Sequence, residues 1–200
     1  MKKSKLSIWL VILCLVGHLT FSQSPGQLLK SREISTKPEI VKTELFIKDC
    51  NDGDTCTAKN RDGLTLKLRL LGVDAPETAK NRGPKKNRHS GQAFGNEAKE
   101  YLNSRVKGKW LQTEIRGSDV FQRFLALIFY SQENQPQELI NQTLVTEGYA
   151  FAYRGPAKTD SDISKWAEAA ENAARKNKKG LWGLKNPPES PDDFRRKNRN

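Results

Sequence analysis

The chain has 200 residues, 36% of them hydrophobic, which suits one compact domain with tails and excludes two full cores. Lys and Arg outnumber Asp and Glu by 35 to 23. The resulting net charge of +12 favours a polyanionic partner, nucleic acid or an anionic membrane surface, without choosing between them.

Lys2, Lys3 and Lys5 precede the apolar run "LSIWLVILCLVGHLTF" and the polar "SQSPGQ", the layout of an export signal cut near Ser22. The apolar run is shorter than the 18 or so residues a membrane span requires, which favours a signal peptide over residues 1–22 and a secreted or periplasmic protein; the alternative is an uncleaved membrane anchor. Removing residues 1–22 takes three lysines and no acid, lowering the charge from +12 to +9, so the basic character belongs to the folded part. Cys14 leaves with them, and only Cys50 and Cys56 remain.

Residues 23–40 contain Pro25, Gly26 and Pro38 without a sustained period and read as a linker. Next, "ELFIKDC" and "TCTAKN" flank Asp52-Gly53, a strong hairpin signal. In "LTLKLRLLGV" the alternation places Leu64, Leu66, Leu68 and Leu70 on one strand face, with Arg69 on the other. "KWLQTEI" and "RFLALIFY" supply two more strands, joined through "RGSD". Helices are predicted in "QAFGNEAKEYLNSRV", with Phe94, Ala98, Tyr101 and Leu102 on one face, in "PQELINQTLVTEG" from Pro136 to Gly148, and in "SDISKWAEAAENAARKNKKG". Five short strands and about three helices predict an α+β, mainly β, fold: a closed oligonucleotide-binding barrel over residues 41–185. The last segment, 186–200, "NPPESPDDFRRKNRN", joins three prolines to charge blocks and reads as a disordered tail.

Two acidic stretches carry the chemistry. "DCNDGDTC" offers Asp52 and Asp54 in the hairpin turn, and "RLLGVDAPET" gathers Arg69, Asp74 and Glu77 in one strand and its exit loop. Two thiols with no nearby His exclude a four-ligand zinc site, and no register yields an EF-hand loop. Because Cys50 and Cys56 flank the turn, a disulfide between them is expected, provided their Cα atoms stand roughly 4.4–6.8 Å apart.

The series "DGDT", "RLLGVDAPET", the arginine of "SDVFQRFLALIFY", "LVTEGYAFAY" and "KKGLW" resembles, in order and spacing, the motifs of the staphylococcal nuclease (thermonuclease) family, over about Val41 to Leu184. The resemblance implies a calcium-dependent phosphodiesterase on an oligonucleotide-binding barrel, cutting DNA and RNA and working as a monomer without a stable protein partner. Asp54 and Asp74 then match the Ca²⁺ carboxylates, the backbone carbonyl of Ala75 a further ligand, and Asp52 a supporting acid. Arg69, Glu77 and Arg123 match the catalytic trio.

These residue types suit that chemistry. Hydrolysis of an anionic diester needs positive charge on the phosphate and a positioned water in line with the leaving oxygen. Carboxylates and a carbonyl form a hard oxygen site for Ca²⁺. Glu77, as general base, abstracts the proton of the attacking water or orients that water. Arg69 and Arg123 present planar forks that pair with phosphate oxygens and stay charged at working pH.

Two departures from the family pattern flank Arg123. Phe121 and Gln122 stand where a tyrosine and a glycine are usual, and bulky Phe124 follows. Lys85 and Lys86, in the basic loop after Glu77, are candidate contacts to the substrate backbone, and Phe121 and Tyr153 candidate rings for bases. The competing reading is the same barrel as a weak or inactive nucleic-acid-binding module at the cell envelope.

Overall fold

The computed structural model describes residues 40–80, 90–133, 135–155 and 161–198. The signal peptide, nearly all of the 23–40 linker, Lys85, Lys86 and His89 lie outside these residues. Alternating apolar residues build β1 (Val41–Cys50), β2 (Thr55–Lys59) and β3 (Thr65–Leu70), three antiparallel neighbours, with Leu45, Ile47, Leu68 and Leu70 turned inward. Leu64, expected with them, is 64% exposed, because the strand begins only at Thr65 and its outer end lies beyond the core.

β5 (Trp110–Ser118) pairs with β1, and β6 (Phe124–Tyr130) pairs with β5. A parallel pairing of β3 with β6, Arg69 opposite Leu125, closes these five strands into a barrel. Closure brings Arg69 beside the start of β6, and Arg123 immediately precedes that strand. Two short pairs finish the sheets: β7 (Glu138–Leu139) extends β6, and β4 (Val73–Asp74) pairs with β8 (Phe151–Ala152).

Among the described residues, three of the four α-helices fall in the segments predicted to be helical: α1 (Gly95–Val106), α2 (Ile140–Thr146) and α3 (Ser161–Lys176). α2 begins four residues after Pro136, because Glu138 and Leu139 are drawn into pairing with β6 first. Ala98, Leu102 and Val106 of α1 and Ile140 and Leu144 of α2 seal the barrel core. Trp166 of α3 packs against this core and against the smaller cluster of Leu71, Leu127 and Ile163.

The fourth helix, α4 (Pro191–Lys197), corrects the expectation of a disordered tail. Ser190 caps it by accepting the Asp193 N–H, Pro191 opens it, Asp192 and Asp193 sit in its first turn and Arg195, Arg196 and Lys197 in its last. Proline content conceals this start signal; the charge blocks are ordered along a helix dipole.

Cys50 and Cys56 face each other across β1 and β2 and form the expected disulfide, with Cα atoms 3.9 Å apart, below the anticipated range. Asn103 of α1 grips the same hairpin end, accepting the Cys50 N–H and donating to its carbonyl, both at 2.9 Å. The turn needs Gly53 for a reason other than hairpin backbone geometry: a Cβ there would stand 2.5 Å from Ala75 Cβ and 2.9 Å from Ala98 Cβ. The Asp52–Asp54 turn is thereby pressed onto the chain that follows Asp74.

Candidate active site

Three segments of the sequence meet at one end of the barrel. Asp54 arrives from the hairpin turn, Arg69 from the end of β3, Asp74 from β4 with Glu77 in the loop beyond, and Arg123 from the turn between β5 and β6. Arg69 lies on the strand face opposite Leu68 and Leu70, as the alternation predicts, yet its side chain is only 11% exposed. Its guanidinium bridges Asp54 and Asp74, the latter at 3.2 Å. Asp54 also accepts the Ala75 N–H at 2.9 Å and the Thr55 hydroxyl at 3.1 Å. Burial pushes the Asp54 carboxyl up, but Arg69 and these hydrogen bonds outweigh it and hold the acid below the ordinary carboxylate range.

Thr55 is a link that sequence reading missed. Its hydroxyl donates to Asp54 and accepts from Arg123 Nη1 at 3.3 Å, so one side chain joins the second arginine to the first acid. Asp119 sets the direction of Arg123: it accepts the Arg123 backbone N–H at 3.0 Å and the Arg123 Nε at 2.8 Å, and caps the turn through the Phe121 N–H at 2.9 Å. Gln122, which replaces the usual glycine, has φ 60°, so the turn keeps the left-handed backbone that glycine favours. Asp119, a residue whose side chain hydrogen-bonds to the backbone that follows it, was the readable signal for this cap; Val120, Phe121 and Gln122 carry none.

Glu77 is buried, 8% exposed, with Lys80 at 2.9 Å from one oxygen. The start of α1 packs on its backbone: a Cβ on Gly95 would stand 2.5 Å from the Glu77 carbonyl oxygen. Gln92 clasps the same residue, donating from its N–H to that carbonyl at 2.8 Å and accepting the Glu77 N–H on Oε1 at 3.0 Å.

Asp52 completes the acidic set. Its Oδ1 is buried without a hydrogen-bond partner, and burial, reinforced by Asp54 and Glu77, pushes its carboxyl up to about 7. Among the described residues, no three His, Cys, Asp or Glu side chains stand together in metal-binding geometry. The donor chemistry nonetheless fits a hard divalent cation: Asp54 and Asp74 are buried carboxylates, and the orphaned Asp52 oxygen lies in the same turn as Asp54. In this structure the balancing positive charge is guanidinium, from Arg69 and from Arg195 of α4.

The aromatic residues divide. Tyr149 stacks on Tyr101 with ring centroids 3.8 Å apart, and buried Phe151 packs edge-on to Trp182, so both serve the fold. Tyr153 stands beside Arg69, its ring centre 5.7 Å from the guanidinium carbon. Phe121 covers Arg123 at 5.4 Å and is 76% exposed. One ring therefore accompanies each arginine.

Residues 67–183 match the family described as staphylococcal nuclease homologue. An uncharacterized endonuclease of Haemophilus influenzae is 35% identical over 146 residues, 73% of this chain and 69% of that protein. Endonuclease Htp3 of Saprolegnia parasitica is 31% identical over 147 residues, 66% of each chain. The probable endonuclease LCL3 of Saccharomyces cerevisiae is 32% identical over 165 residues, covering 82% of this chain and 56% of its own length.

Proposed function

The chain belongs to the staphylococcal nuclease homologue family, and on that premise we propose that it is an exported, calcium-dependent nuclease that hydrolyses DNA and RNA with Arg69, Glu77 and Arg123 as its catalytic groups. The observation that carries this reading is the meeting of Asp54, Asp74, Glu77 and two arginines, from segments up to 69 positions apart, around one barrel end. The basic, apolar N-terminal stretch supports export, and the +9 charge of the remaining chain supports a polyanionic substrate.

Arg69 and Arg123 each turn a planar donor fork toward the scissile phosphate, exchanging part of their pairing with Asp54, Asp74 and Asp119 for phosphate oxygens. Asp54, Asp74 and the Ala75 carbonyl, with Asp52 in support, would hold Ca²⁺, which when bound supplies positive charge to the phosphate and to the attacking water. The water oxygen bonds to phosphorus, the bond from phosphorus to the leaving oxygen breaks, and Glu77 accepts the proton the water gives up. Solvent returns a proton to the leaving oxygen. The arginines stabilise the extra negative charge that develops as the water adds. Tyr153 and Phe121, each beside an arginine, are placed to stack on the flanking bases.

Digestion of single-stranded DNA, duplex DNA and RNA, with Ca²⁺ or with chelator, tests the proposal. Cleavage that needs Ca²⁺ and falls about 10²- to 10⁴-fold in Glu77→Gln is expected. Cleavage no faster than that of Glu77→Gln under every condition refutes it, and retained binding without cleavage would identify a nucleic-acid-binding module instead.

A further inference from the structure

Beyond the acids and arginines of the family motifs, α4 delivers a third arginine into the same centre. Arg195 Nη1 and Nη2 grip both oxygens of Asp74 at 3.1 Å, and Nη1 reaches Glu77 Oε1 at 3.0 Å. These carboxylates lie 121 and 118 positions earlier in the chain. With Arg69 also on Asp74 Oδ1, both oxygens of that acid are taken by guanidinium, and the Glu77 oxygen that does not meet Lys80 is taken as well.

The way α4 is held suits a releasable element. Among the described residues, neither apolar cluster includes a residue of α4, although Pro191 is buried. The approach to α4 is tied to the rest of the protein by Gln92 Nε2, which donates to the Glu189 carbonyl at 2.9 Å, while the Ser190 cap and the pair of Lys197 with Glu189 at 2.5 Å lie within the segment itself. Gln92 binds the Glu77 backbone with its other amide atom, so the approach to α4 and the Glu77 loop share one clasp. Apart from the grip of Arg195, the ion pairs of this segment, Arg196 with Asp193 and Lys197 with Glu189, are largely exposed, individually weak and screened by salt.

From this geometry we propose that α4 is an autoinhibitory strap: Arg195 occupies the charge position of the divalent cation and caps Glu77, and the site opens when α4 lifts away. The inference rests on the calcium reading of Asp54 and Asp74. A carboxylate whose two oxygens are held by guanidinium cannot simultaneously give them to a metal, so docking of the strap and loading of the cation compete at Asp74. The apparent affinity for Ca²⁺ is then the intrinsic affinity reduced by the fraction of molecules whose strap is open; a strap docked nine-tenths of the time weakens binding about tenfold. Reciprocally, Ca²⁺ releases α4. Such a device lets the chain remain quiet where calcium is scarce and become active where it is plentiful.

The test is calorimetric titration of the nucleic-acid-free protein with Ca²⁺ at fixed ionic strength, joined to hydrogen exchange of the α4 amides. Arg195→Gln is expected to bind Ca²⁺ about tenfold more tightly than the parent. Ser190→Ala, which leaves Arg195 in place and removes the cap, is expected to shift affinity severalfold in the same direction. Ca²⁺ should accelerate exchange in residues 192–197 of the parent. Equal or weaker Ca²⁺ binding by Arg195→Gln, with α4 protection unchanged by the ion, overturns the strap while leaving the calcium reading intact. Failure of both proteins to bind Ca²⁺ overturns the calcium reading and the strap with it. Unchanged affinity with a lower cleavage rate in Arg195→Gln would make Arg195 a catalytic group and also overturn autoinhibition.

Discussion

Asn141 offers the sharpest mechanical test of how the barrel builds the site. This side chain is wholly buried at the start of α2, accepts the Ile128 N–H, and donates to the carbonyls of Leu71 and Ala126, each at 2.9 Å. It thus ties the chain just beyond β3 to β6, the two strands whose parallel pairing closes the barrel and sets Arg69 near Arg123. In Asn141→Ala, Ala126 O keeps the Leu71 N–H, whereas the Ile128 N–H and the Leu71 carbonyl lose the partner Asn141 provides. Two buried groups at about 1–3 kcal/mol each give about 2–6 kcal/mol, and we expect about 3 after local relaxation. Urea unfolding followed by tryptophan fluorescence should show a lower midpoint with an unchanged slope, and thermal unfolding a fall of about 6–12 °C. Activity well below that temperature should drop as well, because the register between β3 and β6 loosens. A loss under about 1 kcal/mol would refute the claim that this residue fastens the closure.

Gln122→Gly should stabilise the protein by about 0.5–1 kcal/mol, seen as a small rise in melting temperature, because φ 60° costs a non-glycine residue about 1–2 kcal/mol and glycine returns only part of that through its freer unfolded state; destabilisation would refute it. Asp119→Asn, which weakens the hold on Arg123, should lower kcat/KM about 10- to 100-fold, measured on a short oligonucleotide. Burial raises Asp119, but the backbone N–H and guanidinium of Arg123 outweigh it and lower the acid below its ordinary 3.8, so its support is complete above that value and is lost as pH falls through the lower folded one. The stability gap between Asp119→Asn and the parent should accordingly be flat from about pH 5 upward and shrink below about pH 4. Reducing the disulfide, whose cysteines are six positions apart, should cost about 2 kcal/mol in chemical unfolding, with the hairpin retained by Asn103; complete unfolding on reduction would refute that retention.

Much of this molecule could be read locally. Strand alternation places Leu68 and Leu70 inside and Arg69 on the opposite face, and the motif order points to acids that the fold brings together around Arg69. Two errors have local causes as well: Leu64 belongs to an alternation that outruns the strand, and the tail's prolines hide a properly capped helix start. Thr55 was passed over because a threonine in a strand has an ordinary packing explanation, and Asn141 because one polar residue in a short helical segment carries no sign of being buried.

The sequence by itself determined the barrel strands, the disulfide partners and the residue types of the site, since period, turn chemistry and short-range spacing are properties of neighbouring residues. Only the tertiary structure decided that Thr55 joins Arg123 to Asp54, that Asn141 fastens β3 to β6, and that Arg195 reaches Asp74 and Glu77. Those contacts span 13 to 121 positions, apart from the adjacent Thr55 and Asp54. A hydrogen bond or ion pair depends on distance through space after closure of the barrel. For a seven-residue helix such as α4, too short to persist by propensity alone, the surrounding structure determines both where it sits and whether it forms.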